Sequence, residues 1–494
     1  MTYFQNDVLL LLPEIFLVFF IVSFLLVGTF LTSNYRLIFI GRFSYIFLFF
    51  LTLLASAYYA LPEVDFLILN FQFLSDQLSM FLKFLTLSLL FLIIYTTVNY
   101  LFSEKVFFVE YYFFVGLLLI TAFFLISTVD FFLFYLIIEL QALVLYSLAA
   151  MKRYNVFSAE SGLKYFVLGA FSSGLLLYGT SLLYGFIGFL NFYDIKFIFL
   201  NWVDTSSFFG VHVALIFIMC SLMFKLSMAP FHIWVPDVYD GAPTSSVFFF
   251  VTLPKLAIFI FLFRLYTYLL VEFAGLWYTL LFFAGLLSVL WGTFAALNQF
   301  SIKRLYAYSS IVNIGYLAMA LSYGTSENLI VVLYYLVVYI ILSALLFSFI
   351  IGVGNLRGFE TGRSLFDYKV LFSHNFFLSL LFALIFFSFA GIPPLSGFFI
   401  KFFLFKVMFL GDLLVNPAFF IIFLVSTISA FYYIRVVRFI YFSGNTRFPD
   451  FLVVISPFLI FFIVFSIFTF VILFFIFSEL VFIKFTFFVN FLFF

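Results

Sequence analysis

Hydrophobic runs of membrane-spanning length succeed one another along the chain, separated by short clusters of charged residues, Gly and Pro. A helix needs about 20 apolar residues to cross ~30 Å of hydrocarbon. On that scale spans fall near 8–30, 38–61, 78–102, 107–127, 129–150, 160–189, 209–234, 246–270, 274–297, 304–322, 328–353, 371–410, 414–440 and 453–477. Barrel strands would alternate apolar and polar residues, whereas 113–127 and 456–477 are apolar on every face. Hydrocarbon offers a peptide group no partner, so the pattern predicts an all-α polytopic membrane protein of about fourteen transmembrane helices.

The charges between the spans test that count. Arg36 and Arg42, Lys105, Lys152 and Arg153, Lys303 and Arg304, Arg357, Arg363 and Lys369, and Arg435, Arg438 and Arg447 all fall on connections that follow odd-numbered spans. The opposite connections hold Glu63, Asp65, Asp76, Asp194, Asp204, Glu272, Glu327 and Asp412, with Lys196 the main exception. Basic connections stay inside, so both termini are expected outside. One helix missed or invented would scramble this alternation.

Five charges stand within the spans instead: Glu139, Lys164, Lys225, Lys255 and Lys401. An ionisable group at membrane depth is costly and persists where it lines a polar cavity or has a partner, so a file of them points to a route for an ion or a proton. Burial disfavours an ammonium and a nearby carboxylate favours it; a lysine set between these opposing effects can exchange a proton. Two spans also contain helix breakers. FKLSMAPFHIW (224–234) holds Pro230, and AGIPPLSGFFIKF (390–402) holds Pro393 and Pro394 between Gly391 and Gly397. Proline lacks an N–H and clashes with the preceding turn. Lys225 precedes the first break by five residues and Lys401 follows the second by seven. Broken helices in corresponding positions of two halves mark transporter sites at the midplane. Other charges read as structural: Lys83, Arg264, Lys406 and Lys484 lie near span ends, where their heads can snorkel to water. Glu160 stands near an interface, and Asp130 suits the positive N-terminal end of a helix. His232, two residues past Pro230, fits either a proton path or satisfaction of backbone freed by the break.

Composition narrows the chemistry. The chain is 67% hydrophobic and 9% charged, and its net charge of +1 points to no nucleic-acid partner. Cys220 is the sole cysteine, and His212, His232 and His374 lack metal-ligand spacing. No iron–sulfur cluster, internal disulfide or metal site is expected, and any redox step belongs to another subunit. Gly352, Gly354 and Gly358 miss the G-x-G-x-x-G phosphate-loop spacing. The 92 Phe residues exceed what helix packing requires and read as codon drift in an AT-rich genome such as many organelles carry. Neither a basic n-region nor an Arg-rich transit segment precedes the first span, which fits synthesis inside the compartment where the protein works.

The string FHIWVPDVYDGAPT (231–244), followed by LPK ending at Lys255, resembles the signature of the NADH dehydrogenase subunit 2 family, membrane-arm subunits of respiratory complex I. LIIELQALVLYSL (136–148), SGLKYFVLGAFSSGLLLYG (161–179), RLYAYSSIVNIGY (304–316) and AGIPPLSGFFIKF (390–402) occur in that family's order. The resemblance implies an antiporter-like proton-translocating subunit with two inverted five-helix repeats, spans 4–8 and 9–13, and broken helices 7 and 12. It divides the chain into three N-terminal helices (1–104), a first repeat (105–270), a second repeat (271–442) and a C-terminal helix and tail (443–494).

It also implies roles. Glu139 and Lys225 correspond to the family's acid–lysine couple, Lys164 to an additional lysine, Lys255 to the central lysine and Lys401 to the terminal lysine of the second repeat. Where many members carry histidine, this chain has Asn313, which cannot titrate but can hold a water by hydrogen bonding. The implied activity is that of proton-translocating NADH:ubiquinone oxidoreductase, with flavin, iron–sulfur clusters and ubiquinone bound by other subunits and no cofactor in this chain. The implied setting is the mitochondrial inner membrane, both termini facing the intermembrane space, beside sister antiporter-like subunits, small hydrophobic subunits and lipids, cardiolipin among them. The alternatives are a subunit of a multisubunit sodium/proton antiporter and a structural membrane subunit with inert lysines. DVYDGAPT after the W-x-P-D element weighs against the first, and five charges that packing does not need weigh against the second.

Overall fold

The computed structural model of the chain describes residues 7–8, 10–31, 36–60, 66–103, 109–152, 154–200, 208–270, 274–354, 364–368, 376–409, 416–442, 482–483, 485–486 and 489. The helices in chain order are α1 (Leu12–Leu31), α2 (Arg36–Ala60), α3 (Gln77–Ser103), α4 (Val109–Ser127), α5 (Phe131–Ala149), α6 (Val156–Ile187), α7 (Phe192–Leu200) and α8 (Phe208–Lys225). They continue as α9 (Trp234–Gly241), α10 (Thr244–Leu265), α11 (Ala274–Leu297), α12 (Ile302–Ser322), α13 (Ser326–Gly354), α14 (Phe376–Ala390), α15 (Ser396–Phe409) and α16 (Asn416–Phe442). A hairpin of β1 (Phe66–Ile68) and β2 (Phe73–Ser75) is antiparallel, with Leu67 opposite Leu74. Every expected span up to residue 440 contains helix, and ten of these helices are long and apolar enough to cross a membrane. The expected span 453–477, His374 and Lys484 lie outside the described residues.

The chain forms two compact units, Met1–Leu226 with Gly241–Phe273 and Ser227–Asp240 with Ala274–Phe494. In the first, α10 is buried along its whole length, packed by α3, α4, α5 and α8. In the second, α12 and α13 form the buried centre. Small residues set the closest approach there: a Cβ at Gly285 of α11 would stand 2.8 Å from the Gly315 carbonyl oxygen of α12. Such small-residue seams let membrane helices pack backbone to backbone.

Connections expected on one side of the membrane bond to one another. In the first unit Val129 N–H donates to Gln72 O at 3.1 Å, Phe131 N–H to Leu190 O at 3.2 Å, and Asn191 Nδ2 to Phe71 O. In the second, Leu365 N–H donates to Phe300 O at 2.8 Å, and Arg304 pairs with Asp240 at 3.0 Å and Asp237 at 3.8 Å. Asp130 caps α5, its carboxylate accepting from Phe132 N–H at 2.7 Å and Leu133 N–H at 3.2 Å, in keeping with its place in the sequence.

Two local elements escape a sequence reading. The hairpin strands are too short to display alternation, and the nine residues of α7 fall below the length of a spanning window. Two charges also need correction. Lys83 and Arg264 do not snorkel: Lys83 Nζ donates to Glu14 Oε1 at 2.7 Å with both side chains almost wholly buried, and Arg264 Nη2 meets Asp76 Oδ1 at 2.7 Å. Each pairs with a carboxylate from another segment, which a single span cannot reveal. Lys406 is exposed, as snorkelling requires.

Removing one member of a buried pair strands the other charge and costs about 3–5 kcal/mol. Lys83→Met should therefore lower the thermal unfolding midpoint of the solubilised protein clearly, and the double variant Glu14→Gln, Lys83→Met should recover most of that loss.

Candidate proton-transfer sites at the two helix breaks

The first break begins at Lys225, the last residue of α8. Leu226 N–H still reaches Leu222 O at 2.9 Å, but Ser227 then takes a left-handed φ of 65° and the helix cannot continue. The chain turns through Pro230 and resumes at Trp234, so the interruption expected from Pro230 is present. Lys225 Nζ lies 6.0 Å from the centroid of the Tyr146 ring, on a face that attracts cations. The Glu139 carboxylate is within electrostatic reach of both Lys225 and Tyr146. Its Oε1 and the Lys225 Nζ are buried without a hydrogen-bond partner among the described residues. The acid and the ammonium thus act on one another through space, and Lys225 Nζ is not locked by a direct bond among the described residues.

Tyr146 keeps its place because of a glycine. A Cβ at Gly169 of α6 would overlap the Tyr146 hydroxyl, so the small residue in SGLKYFVLGAF makes room for the ring that borders Lys225. Lys164, five residues before Gly169 on the same helix, is exposed and pairs with Glu160 at 2.8 Å in an i,i+4 contact. Lys255 is buried in α10, directly after Pro254, whose ring nitrogen has no proton to give to the preceding turn.

The second break is built by glycine and lysine together. α14 ends at Ala390, and Gly391 takes a left-handed φ of 84°, the conformation that closes helices. Pro393 and Pro394 form the exposed turn, and α15 starts at Ser396. A Cβ at Gly397 would overlap the Ser388 carbonyl, so the two half-helices touch through their backbones. Lys401, one turn further on, reaches back and donates to Ala390 O at 2.9 Å. The ammonium thereby satisfies a carbonyl orphaned by the break, at the negative end of the α14 dipole.

Beside Lys401 is a cavity of about 20 Å³ lined by Asn313, Tyr335, Tyr339, Ser388 and Gly397, among others. That volume holds one water. Tyr335 donates its hydroxyl proton to Asn313 Oδ1 at 2.7 Å, and Asn313 Nδ2 donates to Ser309 O at 2.9 Å. Tyr306 donates to the Tyr339 hydroxyl at 3.1 Å. His232 belongs to this second unit, buried with its ring 5.8 Å from that of Trp291 and Nδ1 without a partner among the described residues.

The structure therefore sets Lys225 beside Tyr146 in one unit, with Glu139 acting on both through space, and Lys401 beside Asn313 in the other, while Lys164 has Glu160 as its charge partner. Sequence reading missed Tyr146, Tyr335 and Tyr339, because a tyrosine in an apolar span looks like any other aromatic packing residue.

One helix interrupted beside Lys225 and another beside Lys401, among apolar helices of spanning length, fit an antiporter-like membrane protein. Residues 127–431, more than half of the chain, match the NADH:quinone oxidoreductase/Mrp antiporter transmembrane family, and the chain belongs to it. It is 42% identical over 287 residues to NADH-quinone oxidoreductase subunit N 1 of Acidiphilium cryptum, covering 58% of this chain and 59% of that protein. To NADH-ubiquinone oxidoreductase chain 2 of Marchantia polymorpha it is 38% identical over 288 residues, 58% of this chain and 57% of the relative. The matched stretch is thus less than two thirds of the length of either relative. A chain of respiratory complex I from Thermus thermophilus superposes with a TM-score of 0.75 at 27% identity, covering 95% of this chain and 98% of that one. A chain of the Mrp complex from Dietzia, at 21% identity and a TM-score of 0.73 over 90% of this chain and 82% of its own, shares the fold.

Gly397→Ala should force the half-helices apart, costing about 1–3 kcal/mol as overpacking does. Thermal unfolding should register that loss, whereas Gly174→Ala, with nothing within 4 Å of the added methyl and a helical backbone that alanine favours, should be neutral or slightly stabilising.

Proposed function

We propose that this chain is a proton-translocating membrane subunit of an NADH:quinone oxidoreductase, passing protons through Glu139, Lys225, Lys255 and Lys401, with Lys164 as an additional site. The observation that carries the reading is a lysine at each of two helix breaks, one near a carboxylate and the other beside a polar cavity. Family membership and the relatives named above support it. A lysine held near a carboxylate without a direct bond can change its proton occupancy when the carboxylate or a neighbouring charge moves. One charge crossing 100 mV corresponds to about 2.3 kcal/mol, within the range that such rearrangements supply. In this reading flavin, iron–sulfur clusters and quinone are held by other subunits, and the chain sits in the mitochondrial inner membrane with both termini toward the intermembrane space. Its neighbours are sister antiporter-like subunits, small hydrophobic subunits and membrane lipids.

Lys225→Met keeps length and apolar contacts but removes the titratable amine. Positioned proton-transfer groups contribute about 100-fold or more, so NADH-driven proton pumping by the assembled complex should fall to background, and coupled quinone reduction should fall with it. Glu139→Gln should act in the same direction. Normal assembly with undiminished pumping in Lys225→Met would overturn the role, and sodium-dependent transport without NADH would favour the antiporter alternative.

A further inference from the structure

Residues seven apart share one face of an α-helix to within about 20°. Phe134, near the start of α5, stacks on Phe261, near the end of α10, with ring centroids 3.4 Å apart. Toward the other end of α5, Tyr146 packs on Tyr165 at 4.7 Å, and Tyr165 packs on Phe250 of α10 at 5.8 Å. The two helices therefore run antiparallel. One heptad from the Phe134–Phe261 contact sets Gln141 opposite Pro254, at the level of Lys255, and both Gln141 and Lys255 fall at the middle of their helices. Gln141 is 1% exposed, and its Oε1 and Nε2 are both buried without a hydrogen-bond partner among the described residues. Buried polar groups are almost always bonded, either to protein or to ordered water.

We propose that Gln141 is a positioning residue whose amide holds the water that carries a proton between Lys225 and Lys255. This rests on the proton-translocating reading above. The same helix serves both lysines: Tyr146, five residues after Gln141, borders Lys225, while Gln141 faces the turn of α10 that bears Lys255. An amide suits this place because Oε1 accepts from one water and Nε2 donates to another, and neither atom takes up or gives away the travelling proton. In the step, an N–H bond of the Lys225 ammonium breaks as an O–H bond forms on the first held water. Each water passes one of its own protons onward, and the last is taken by the lone pair of the neutral Lys255 amine. Lys225 is left neutral and Lys255 charged; one proton has moved, no electrons are exchanged, and Gln141 is unchanged.

The test compares two substitutions in the whole complex in vesicles, with NADH-driven proton pumping as the readout. Gln141→Met keeps the volume and removes the amide, whereas Gln141→Asn keeps the amide and gives up volume. A packing residue tolerates the volume-conserving change better. A water-holding residue shows the reverse order: Gln141→Met should lower pumping about tenfold or more, on the scale that misplacing a transfer partner costs, while Gln141→Asn should retain more of it. The thermal unfolding midpoint of Gln141→Met should be unchanged or higher, since an unbonded buried polar group has been removed. Gln141→Leu makes the same removal should the methionine variant not assemble. Native pumping in Gln141→Met, better pumping there than in Gln141→Asn, or failure of both apolar variants to assemble would overturn the proposal. Lys255→Met separates the two levels: undiminished pumping there overturns the role of Lys255 in the proton-translocating reading, whereas lost pumping there with native pumping in Gln141→Met overturns the water site alone.

Discussion

The peptide groups of a membrane-spanning chain must find partners inside the protein, and that constraint governs both where the helices run and where they stop. An intact helix meets it without help. A broken one leaves carbonyls that need a donor, and hydrocarbon supplies none. Lys401 meets this need by donating to Ala390 O, so the group that threatens the fold by its charge also repairs the break. The site and the defect in the helix are one object.

Two other buried cations meet the same demand with carboxylate partners. Lys83 has Glu14 and Arg264 has Asp76, each at 2.7 Å. Such pairs add little net stability compared with apolar contacts, yet they penalise any arrangement that separates the partners. They tie distant stretches of the first unit together, residues 14 and 83 in one case and 76 and 264 in the other. Lys225 differs, since Glu139 is near but unbonded, and a loosely held charge is one that can change state.

Much of this was legible in the sequence, for identifiable reasons. Hydrophobic length located the helices, because the membrane fixes how many residues a crossing takes. Pro230 and Pro393 with Pro394 announced the interruptions, because a missing N–H is a local fact. What stayed hidden depends on contacts between spans. Nothing in the sequence around Lys83 names Glu14, and nothing around Asn313 names Tyr335. The hairpin near residue 70 and α7 were missed because their signals are shorter than the windows that detect spans.

Gly397 has a mechanical consequence. With no room for even a methyl group between it and the Ser388 carbonyl, α15 cannot swing on the proline turn as though on a free hinge. The elbow is stiff, and Lys401 rides on it. Any tilt imposed on α14 by what presses against its far end is delivered to the ammonium as displacement, as a bent lever transmits motion around a corner.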